Sequence, residues 1–257
     1  MNFESTQLLL EKNYSFFHTY DFVADDPICI PHRFTLKQDI EISGFFAAIF
    51  SWGLRKTIIN KSTELLSLMD NAPYQFITQH QDIDLKKLIG FKHRTFNDTD
   101  LLYFVAWLRH HFMAHSSLEQ AFCLDTTSMF TRLVAFNTYF FSLPYAPQRT
   151  AKHISSPTTN AACKRLVMYL RWMVRSDDKG IDFGIWNTIP TSHLVIPLDV
   201  HVLAVAQQLG ISMNNKQTWK AAEAITNQLK LFDANDPTRF DFALFGLGVL
   251  QKNRFNK

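Results

Sequence analysis

The chain has 257 residues and a mass of 29.8 kDa, with 47% hydrophobic and 19% charged residues. This length and composition exclude an intrinsically disordered chain and predict a sizeable core in one or two domains. Only 8 glycines accompany 24 phenylalanines, and neither GxGxxG nor GxxxxGK[ST] occurs, which excludes a glycine-rich nucleotide-binding fold. The net charge of +3 does not by itself indicate a partner.

The three cysteines, Cys29, Cys123 and Cys163, form no CxxC pair. They are too few for a disulfide framework or for a four-cysteine iron–sulfur cluster, so a reducing compartment is expected. The chain does not open with a basic region followed by an apolar run, and no apolar stretch approaches the roughly 20 residues that cross a bilayer. We therefore predict a cytoplasmic protein with no membrane partner and no cofactor.

Apolar residues recur with a period near 3.6 along most of the chain, which predicts an all-α protein of about ten helices. Asn97 or Asp98 is expected to cap one helix, Ser116 with Glu119 to form a capping box, and Asp236 to open the last helix before Pro237. In chain order the main helices are predicted at residues 8–20, 37–52, 60–69, 98–115, 128–141, 160–175, 198–209, 218–231 and 237–250.

The positive charge is concentrated in residues 126–176. This segment has no Asp or Glu and carries seven Lys and Arg residues, so it is +7 while the rest of the chain is −4. Clustered cations beside polar loops are the electrostatic pattern of proteins that bind phosphate backbones. An ordinary solvated basic face is the alternative interpretation.

The helix predicted at 160–175 has two distinct faces. Lys164, Arg171 and Arg175 share one face, and the polar turn 155–159 precedes the helix. A helix N-terminus beside basic residues favours anions. The other face is an apolar stripe made of Cys163, Leu166, Val167, Leu170 and Val174. The predicted phosphate-binding residues are Lys152, His153, Ser155, Ser156, Thr158, Asn160, Arg171 and Arg175.

Asp199 follows the apolar run Ile196-Pro197-Leu198 and is predicted to open a helix. An Asp in this position is most often an N-cap worth about 1 kcal/mol. A carboxylate beside an anion-binding turn is also well placed to stabilise a cationic sugar or to activate water. Both interpretations stay open at this point.

Residues 197–202, Pro-Leu-Asp-Val-His-Val, with Ala206 and Leu209-Gly210 after them, resemble the catalytic-aspartate segment of the helix-hairpin-helix DNA glycosylases. This superfamily includes endonuclease III and the oxoguanine DNA glycosylases. The string SSPTTNAACKRL lies where the superfamily places its DNA-binding hairpin, and residues 240–248 are similar to a C-terminal helix of the archaeal oxoguanine glycosylases.

The resemblance covers roughly residues 152–248 and implies a fold. Residues 1–257 would form a single helical unit of two intertwined lobes with a central cleft. Lobe one would comprise about residues 1–36 and 198–257. Lobe two would comprise about residues 37–197, with a hairpin-like turn at 152–175.

The same resemblance implies a role in DNA repair. The protein would cleave the N-glycosidic bond of a damaged base, with 8-oxoguanine as one candidate, in double-stranded DNA. Asp199 would be the catalytic carboxylate. Ser156 to Thr159 replace the superfamily's Gly-x-Gly, and Asn160 falls at the position of the Schiff-base lysine. Lys164 is then the candidate amine, because a Schiff base needs one, and the alternative is a monofunctional glycosylase.

A base flipped out of the duplex needs aromatic walls. The candidates next to motif segments are Trp52, Trp172, Trp186 and Phe245, and core packing is the alternative for each. His93-Arg94 is a basic loop pair that would contact phosphate or cap a helix. His111 and His115 have the i, i+4 spacing of a zinc pair, but no further ligand completes a set, so no metal site is predicted.

The sequence leaves two other functions open. The chain could be a non-catalytic nucleic-acid-binding protein that keeps the fold without the Schiff-base lysine, or an interaction protein whose basic face binds another acidic partner.

A further resemblance extends over nearly the whole chain, to an uncharacterised bacterial family defined by a domain of unknown function. The strings that carry it are PHRF, FKHRTFN, KHISSP, CKRLVMYLRWMVR, GIDFGIW, IPLDVHV and DFALFG.

Overall fold

The computed structural model describes residues 3–255, and their side chains except those of Phe22 and residues 251–255. The chain forms two compact units. The terminal unit comprises residues up to Phe22 and from Ser156 onward, and the central unit comprises Val23–Ser155. The predicted lobes place residues 23–36 with the termini and residues 156–197 with the middle of the chain. In the structure, residues 23–36 belong to the central unit and residues 156–197 belong to the terminal unit. The arrangement of two intertwined lobes around a cleft stays a prediction.

The predicted all-α class is confirmed, since the described residues form twelve α-helices and a single two-stranded hairpin. None of the described helices is long and apolar enough to span a bilayer. The strands are β1 (Lys92–His93) and β2 (Phe96–Asn97). The helices are α1 (Phe3–Phe17), α2 (Tyr20–Ala24), α3 (Lys37–Ile49), α4 (Arg55–Leu68), α5 (Pro73–Gln79), α6 (Asp82–Leu85), α7 (Asp98–Ala114), α8 (Met129–Phe140), α9 (Lys164–Val174), α10 (Val200–Gln208), α11 (Trp219–Leu229) and α12 (Asp241–Phe255).

Helix starts follow local capping chemistry. Asn97 caps α7 as predicted, since its side chain accepts the N–H of Asp100 and the Asp100 carboxylate accepts the N–H of Asn97 at 3.0 Å. The predicted box of Ser116 with Glu119 is wrong by one residue. Ser117 caps the short helical turn Leu118–Phe122, because its hydroxyl oxygen accepts the N–H of Glu119 at 3.2 Å.

Two predicted helix starts are also displaced. Residues 160–163 are not helical, because Asn160 and Cys163 adopt left-handed backbone angles with φ of 58° and 50°. The helix therefore begins at Lys164. The side chain of Asp236 does not cap a helix, and a 3-10 turn, Pro237–Phe240, precedes α12. Pro73 occupies the first turn of α5, where proline is tolerated.

Helices α1, α10 and α12 pack closely in the terminal unit. A Cβ atom added to Gly246 would collide with the ring of Phe17, and one added to Gly248 would lie 2.7 Å from Cβ of His201. The two glycines of residues 240–248 thus permit α1 and α10 to approach α12. The predicted apolar stripe of α9 is confirmed as core, because all of its members are buried.

An aromatic cluster fills the core of the central unit and accounts for much of the phenylalanine content. Ring centroids lie 4.7 Å apart for Trp107 and Phe140, 4.8 Å for Phe104 and Phe140, and 3.9 Å for Phe122 and Phe136. Tilted, edge-to-face and stacked ring pairs stabilise a core beyond the burial of their area.

His111, at the edge of this cluster, is fully buried and hydrogen-bonded at both ring nitrogens. Nδ1 lies 3.1 Å from the Tyr139 hydroxyl and Nε2 lies 2.9 Å from the carbonyl oxygen of Ser117. The ring therefore offers no free nitrogen to a zinc pair with His115. Burial lowers the pKa of His111 to about 4.

This shift predicts a loss of stability in acid. Between pH 6.5 and 4 the unfolded chain binds a proton that the folded chain excludes, so the free energy of unfolding decreases as the pH falls. We expect His111 to contribute a loss of about 3 kcal/mol over this range. Urea unfolding at several pH values should show a weaker pH dependence in His111→Gln than in the native protein. His110→Gln, at an exposed position, is the control; equal pH dependence in all three proteins would contradict the prediction.

Candidate functional site

Asp199 and Lys164 form an ion pair between the starts of two helices in the terminal unit. The Asp199 Oδ1 atom accepts the N–H groups of His201 and Val202 at 2.9 and 3.0 Å, so the predicted cap of α10 is confirmed. The Oδ2 atom lies 3.1 Å from Nζ of Lys164, the first residue of α9. The Lys164 side chain is 33% exposed and that of Asp199 is 14% exposed, so solvent reaches the pair.

A buried pair of opposite charges lies two turns further along α9. Arg171 hydrogen-bonds to Asp241, the first residue of α12, and its Nε atom lies 3.4 Å from Oδ1 of Asp182. Burial raises the pKa of Asp241 to about 6, against the opposing effect of Arg171, and the negative charge of Asp199 adds to the rise. The carboxyl of Asp241 is therefore electrostatically coupled to the Lys164–Asp199 pair.

Arg175 is only 2% exposed and is surrounded by acceptors. Its guanidinium donates to Asp236 at 2.7 Å, to Asp182 at 3.0 Å and to the Tyr14 hydroxyl at 2.7 Å. Burial alone lowers the pKa of Arg175, but the carboxylates of Asp182 and Asp236 outweigh that effect and raise it.

The burial of Arg171 and Arg175 argues against their predicted contact with phosphate. Both guanidinium groups are neutralised inside the terminal unit by carboxylates that lie outside the acid-free segment 126–176. Asp182 and Asp241 are not among the residues predicted from the sequence to be functional. Their only signal was their position inside the family strings GIDFGIW and DFALFG.

The turn before α9 is held by local hydrogen bonds and by α11. The hydroxyl oxygen of Ser156 accepts the N–H of Thr158 at 3.4 Å and caps a 3-10 turn, Pro157–Thr159. The carbonyl oxygen of Asn160 accepts the N–H of Trp219, and its side-chain oxygen accepts the N–H of Lys220 at 3.3 Å. Asn160 thus fixes the turn to the start of α11 and does not belong to the helix of Lys164.

The predicted phosphate-binding residues of the central unit differ in exposure. Lys152 is exposed and Ser155 is half-buried, whereas His153 is buried with Nε2 3.3 Å from Oδ2 of Asp100. The same carboxylate accepts the Thr150 hydroxyl at 2.8 Å. His153 therefore faces the interior of the central unit, which argues against a phosphate contact by its ring.

The four aromatic candidates for a base pocket separate into two groups. Trp172 and Trp186 are 0% and 1% exposed, so core packing accounts for both and argues against a base contact. Trp52 and Phe245 are half-buried. The ring centroid of Trp52 lies 4.7 Å from that of His93, and the ring centroid of Phe245 lies 6.0 Å from that of His201 in α10.

Three side chains with metal-ligating atoms lie together in the terminal unit. Atoms of His18, Asp177 and Asp178 are all within 4.8 Å of one another. The Asp177 carboxylate already accepts backbone N–H groups of Lys179 at 2.8 Å and Ile181 at 3.2 Å. Burial raises the pKa of Asp177, but hydrogen bonds from His18 and the backbone outweigh it and lower the pKa below its usual range. The hydrogen bonds of Asp177 thus stabilise the loop that follows α9, which accounts for the cluster.

Comparison with known proteins gives the family of the chain. No curated protein and no solved structure matches it. One family, described as a protein of unknown function (DUF2400), matches residues 26–250. This range contains all seven strings from which an uncharacterised family was predicted. The chain therefore belongs to the DUF2400 family of proteins of unknown function.

Proposed function

We propose that the protein is a DNA base-excision glycosylase that cleaves the N-glycosidic bond of a damaged base in double-stranded DNA. The observation that supports this proposal is the ion pair between Asp199 and Lys164, with 3.1 Å between Oδ2 and Nζ at a position that solvent reaches. The resemblance of residues 197–202 to the catalytic-aspartate segment of the helix-hairpin-helix glycosylases supplies the reaction.

Asp199 supplies negative charge where the sugar becomes cationic. As the N-glycosidic bond breaks, its electron pair leaves with the base and positive charge develops on the sugar. A carboxylate held in place stabilises that charge, or accepts a proton from the water that attacks C1′. The two N–H groups bound to Oδ1 fix the carboxylate, and Oδ2 faces Lys164.

Lys164 is the amine of the alternative, covalent route. Asp199 Oδ2 takes a proton from the ammonium group, and the nitrogen lone pair attacks C1′. The base leaves with the electron pair of the broken bond and takes up a proton, and opening of the sugar ring gives an imine. The contact between Nζ and Oδ2 is the path for the first proton transfer.

The test measures base release from duplexes that carry one oxidised, deaminated or alkylated base, with and without borohydride. We expect release from at least one lesion, and no release from any would overturn the proposal. A trapped adduct should be absent in Lys164→Arg, because the guanidinium stays protonated while its charge preserves the pairing with Asp199. An adduct that survives this change excludes Lys164 as the amine, and release without any adduct assigns the reaction to water.

A non-catalytic nucleic-acid-binding protein is the second candidate. It is favoured by the turn Ser156 to Thr159, which lacks the superfamily's glycines, and by Asn160, whose amide is engaged with α11. Duplex binding without base release from any lesion would support this function instead.

A further inference from the structure

Three loop segments of the central unit meet around the half-buried ring of Trp52. The first is Trp52 with Gly53, the second is the β1–β2 hairpin, and the third ends at His153. The Trp52 ring centroid lies 4.7 Å from that of His93 and 5.8 Å from that of His153. The residues next to these histidines, Arg94 and Lys152, are both exposed.

Arg94 adopts a left-handed backbone conformation that is energetically unfavourable for arginine. It is the first residue of the two-residue loop between β1 and β2, with a left-handed φ of 55°. Glycine, asparagine or aspartate normally occupies such a position, because other side chains raise the conformational free energy there. A strained residue that persists at an exposed loop points to a function for its side chain.

Gly53 lies against the side chain of this arginine. Its own φ is 107°, and a Cβ atom at this position would lie 2.9 Å from Nη1 of Arg94. The guanidinium group of Arg94 thus lies next to the segment of Trp52.

The charge of Arg94 is not neutralised within the described part of the chain, where its guanidinium forms no ion pair with a carboxylate. The nearby acids in sequence have other partners. Asp98 accepts the N–H groups of Gly90 and Thr99, both at 2.8 Å, and Asp100 binds Arg149. Arg94 therefore differs from Arg171 and Arg175, whose carboxylate partners the fold itself supplies.

We propose that Trp52, Arg94 and Lys152, called here the Trp52 surface, bind the phosphodiester backbone of double-stranded DNA. Guanidinium and ammonium groups bind phosphate oxygens, the guanidinium in a bidentate manner. The half-buried indole of Trp52 contacts the rings of His93 and His153, the histidines next to the two cations, and so joins the three segments in one surface. The inference rests on the proposed function for the identity of the partner, but it concerns residues outside the Lys164–Asp199 site.

The test is the salt dependence of binding of the full-length protein to an undamaged, labelled duplex. Arg94→Asn removes the cation, while asparagine tolerates the left-handed backbone, so we expect an unchanged or higher melting temperature. We expect affinity to fall several-fold and the slope of log K against log salt to decrease by about one. Lys86→Gln removes an exposed charge on none of the three segments and is expected to change the slope less.

An unchanged salt slope in Arg94→Asn would overturn the proposal. Should that variant fail to fold, Lys152→Gln, at an exposed position, is expected to decrease the slope by about one, and an unchanged slope there would overturn it equally. Base release is measured on the same preparations. If Arg94→Asn binds more weakly but the native protein releases no base, only the glycosylase proposal is overturned. If the native protein releases a base but the salt slope of Arg94→Asn is unchanged, only the proposal for the Trp52 surface is overturned.

Discussion

Asp199→Asn is expected to slow base release by at least about a hundredfold while the protein stays folded. Asparagine caps a helix about as well as aspartate. Its side-chain oxygen can therefore accept the N–H groups of His201 and Val202, as Oδ1 of Asp199 does. The substitution thus removes the charge that faces Lys164 and preserves the cap, which separates the two interpretations of this residue.

Single-turnover release from the preferred lesion gives the rate, and a thermal scan gives the stability. Ser128→Ala is the matched control, because it removes the cap of α8 without changing any charge. It is expected to lower stability by about 1 kcal/mol and to leave the rate of release unchanged. Release by Asp199→Asn at the native rate would show that the Asp199 carboxylate is only a helix cap.

The sequence predicted those features of the fold that depend on neighbours in the chain. Asn97 and Asp199 cap helices because their side chains reach N–H groups two or three residues further on. The apolar stripe of α9 is also predictable from the sequence, since helical periodicity places its apolar residues on one face. The predicted pairing of Asp199 with the N-terminus of a helix follows from the same local chemistry.

The start of α9 was not predictable in this way. Asn160 and Cys163 adopt left-handed angles that are uncommon for residues other than glycine, so the apolar periodicity predicts a helix start at residue 160. The structural difference bears directly on the site. Because the helix begins at Lys164, this lysine projects from the first turn, where its amine meets the capping carboxylate of Asp199.

The basic segment shows a second reason why the sequence was insufficient. Counting charges along residues 126–176 predicts an exposed basic face, but Arg171 pairs with Asp241 and Arg175 pairs with Asp236, which lie 70 and 61 residues away in the chain. Folding brings these carboxylates to the arginines, and a contact between residues so far apart in the chain cannot be predicted from a local sequence pattern. A polar face on a helix is therefore not necessarily a solvated face.

Arg175→Met is expected to lower the free energy of unfolding by about 3–5 kcal/mol. Methionine fills much of the volume of arginine, but it leaves Asp182 without one of its two cationic partners and the Tyr14 hydroxyl without a donor. The side chain of Asp182 is fully buried, so water cannot replace the lost contacts. Urea unfolding, with the slope of the transition compared between proteins, measures the effect.

Asp236→Asn is the matched control at the other end of the network. The Asp236 side chain is 22% exposed, so water solvates part of what the ion pair loses, and we expect a cost of about 1 kcal/mol. A cost equal to that of Arg175→Met would contradict the view that burial of the unpaired charge dominates.

The pH dependence of Arg175→Met identifies the group responsible. Burial raises the pKa of Asp182, and Arg171 and Arg175 oppose that rise. Without Arg175 the folded-state pKa rises further above the unfolded value, so the folded chain binds more protons and gains stability as the pH falls. The deficit relative to the native protein should therefore shrink from pH 7 to pH 5. A deficit that stays constant over this range would assign the loss to packing around Tyr14 and not to the charge of Asp182.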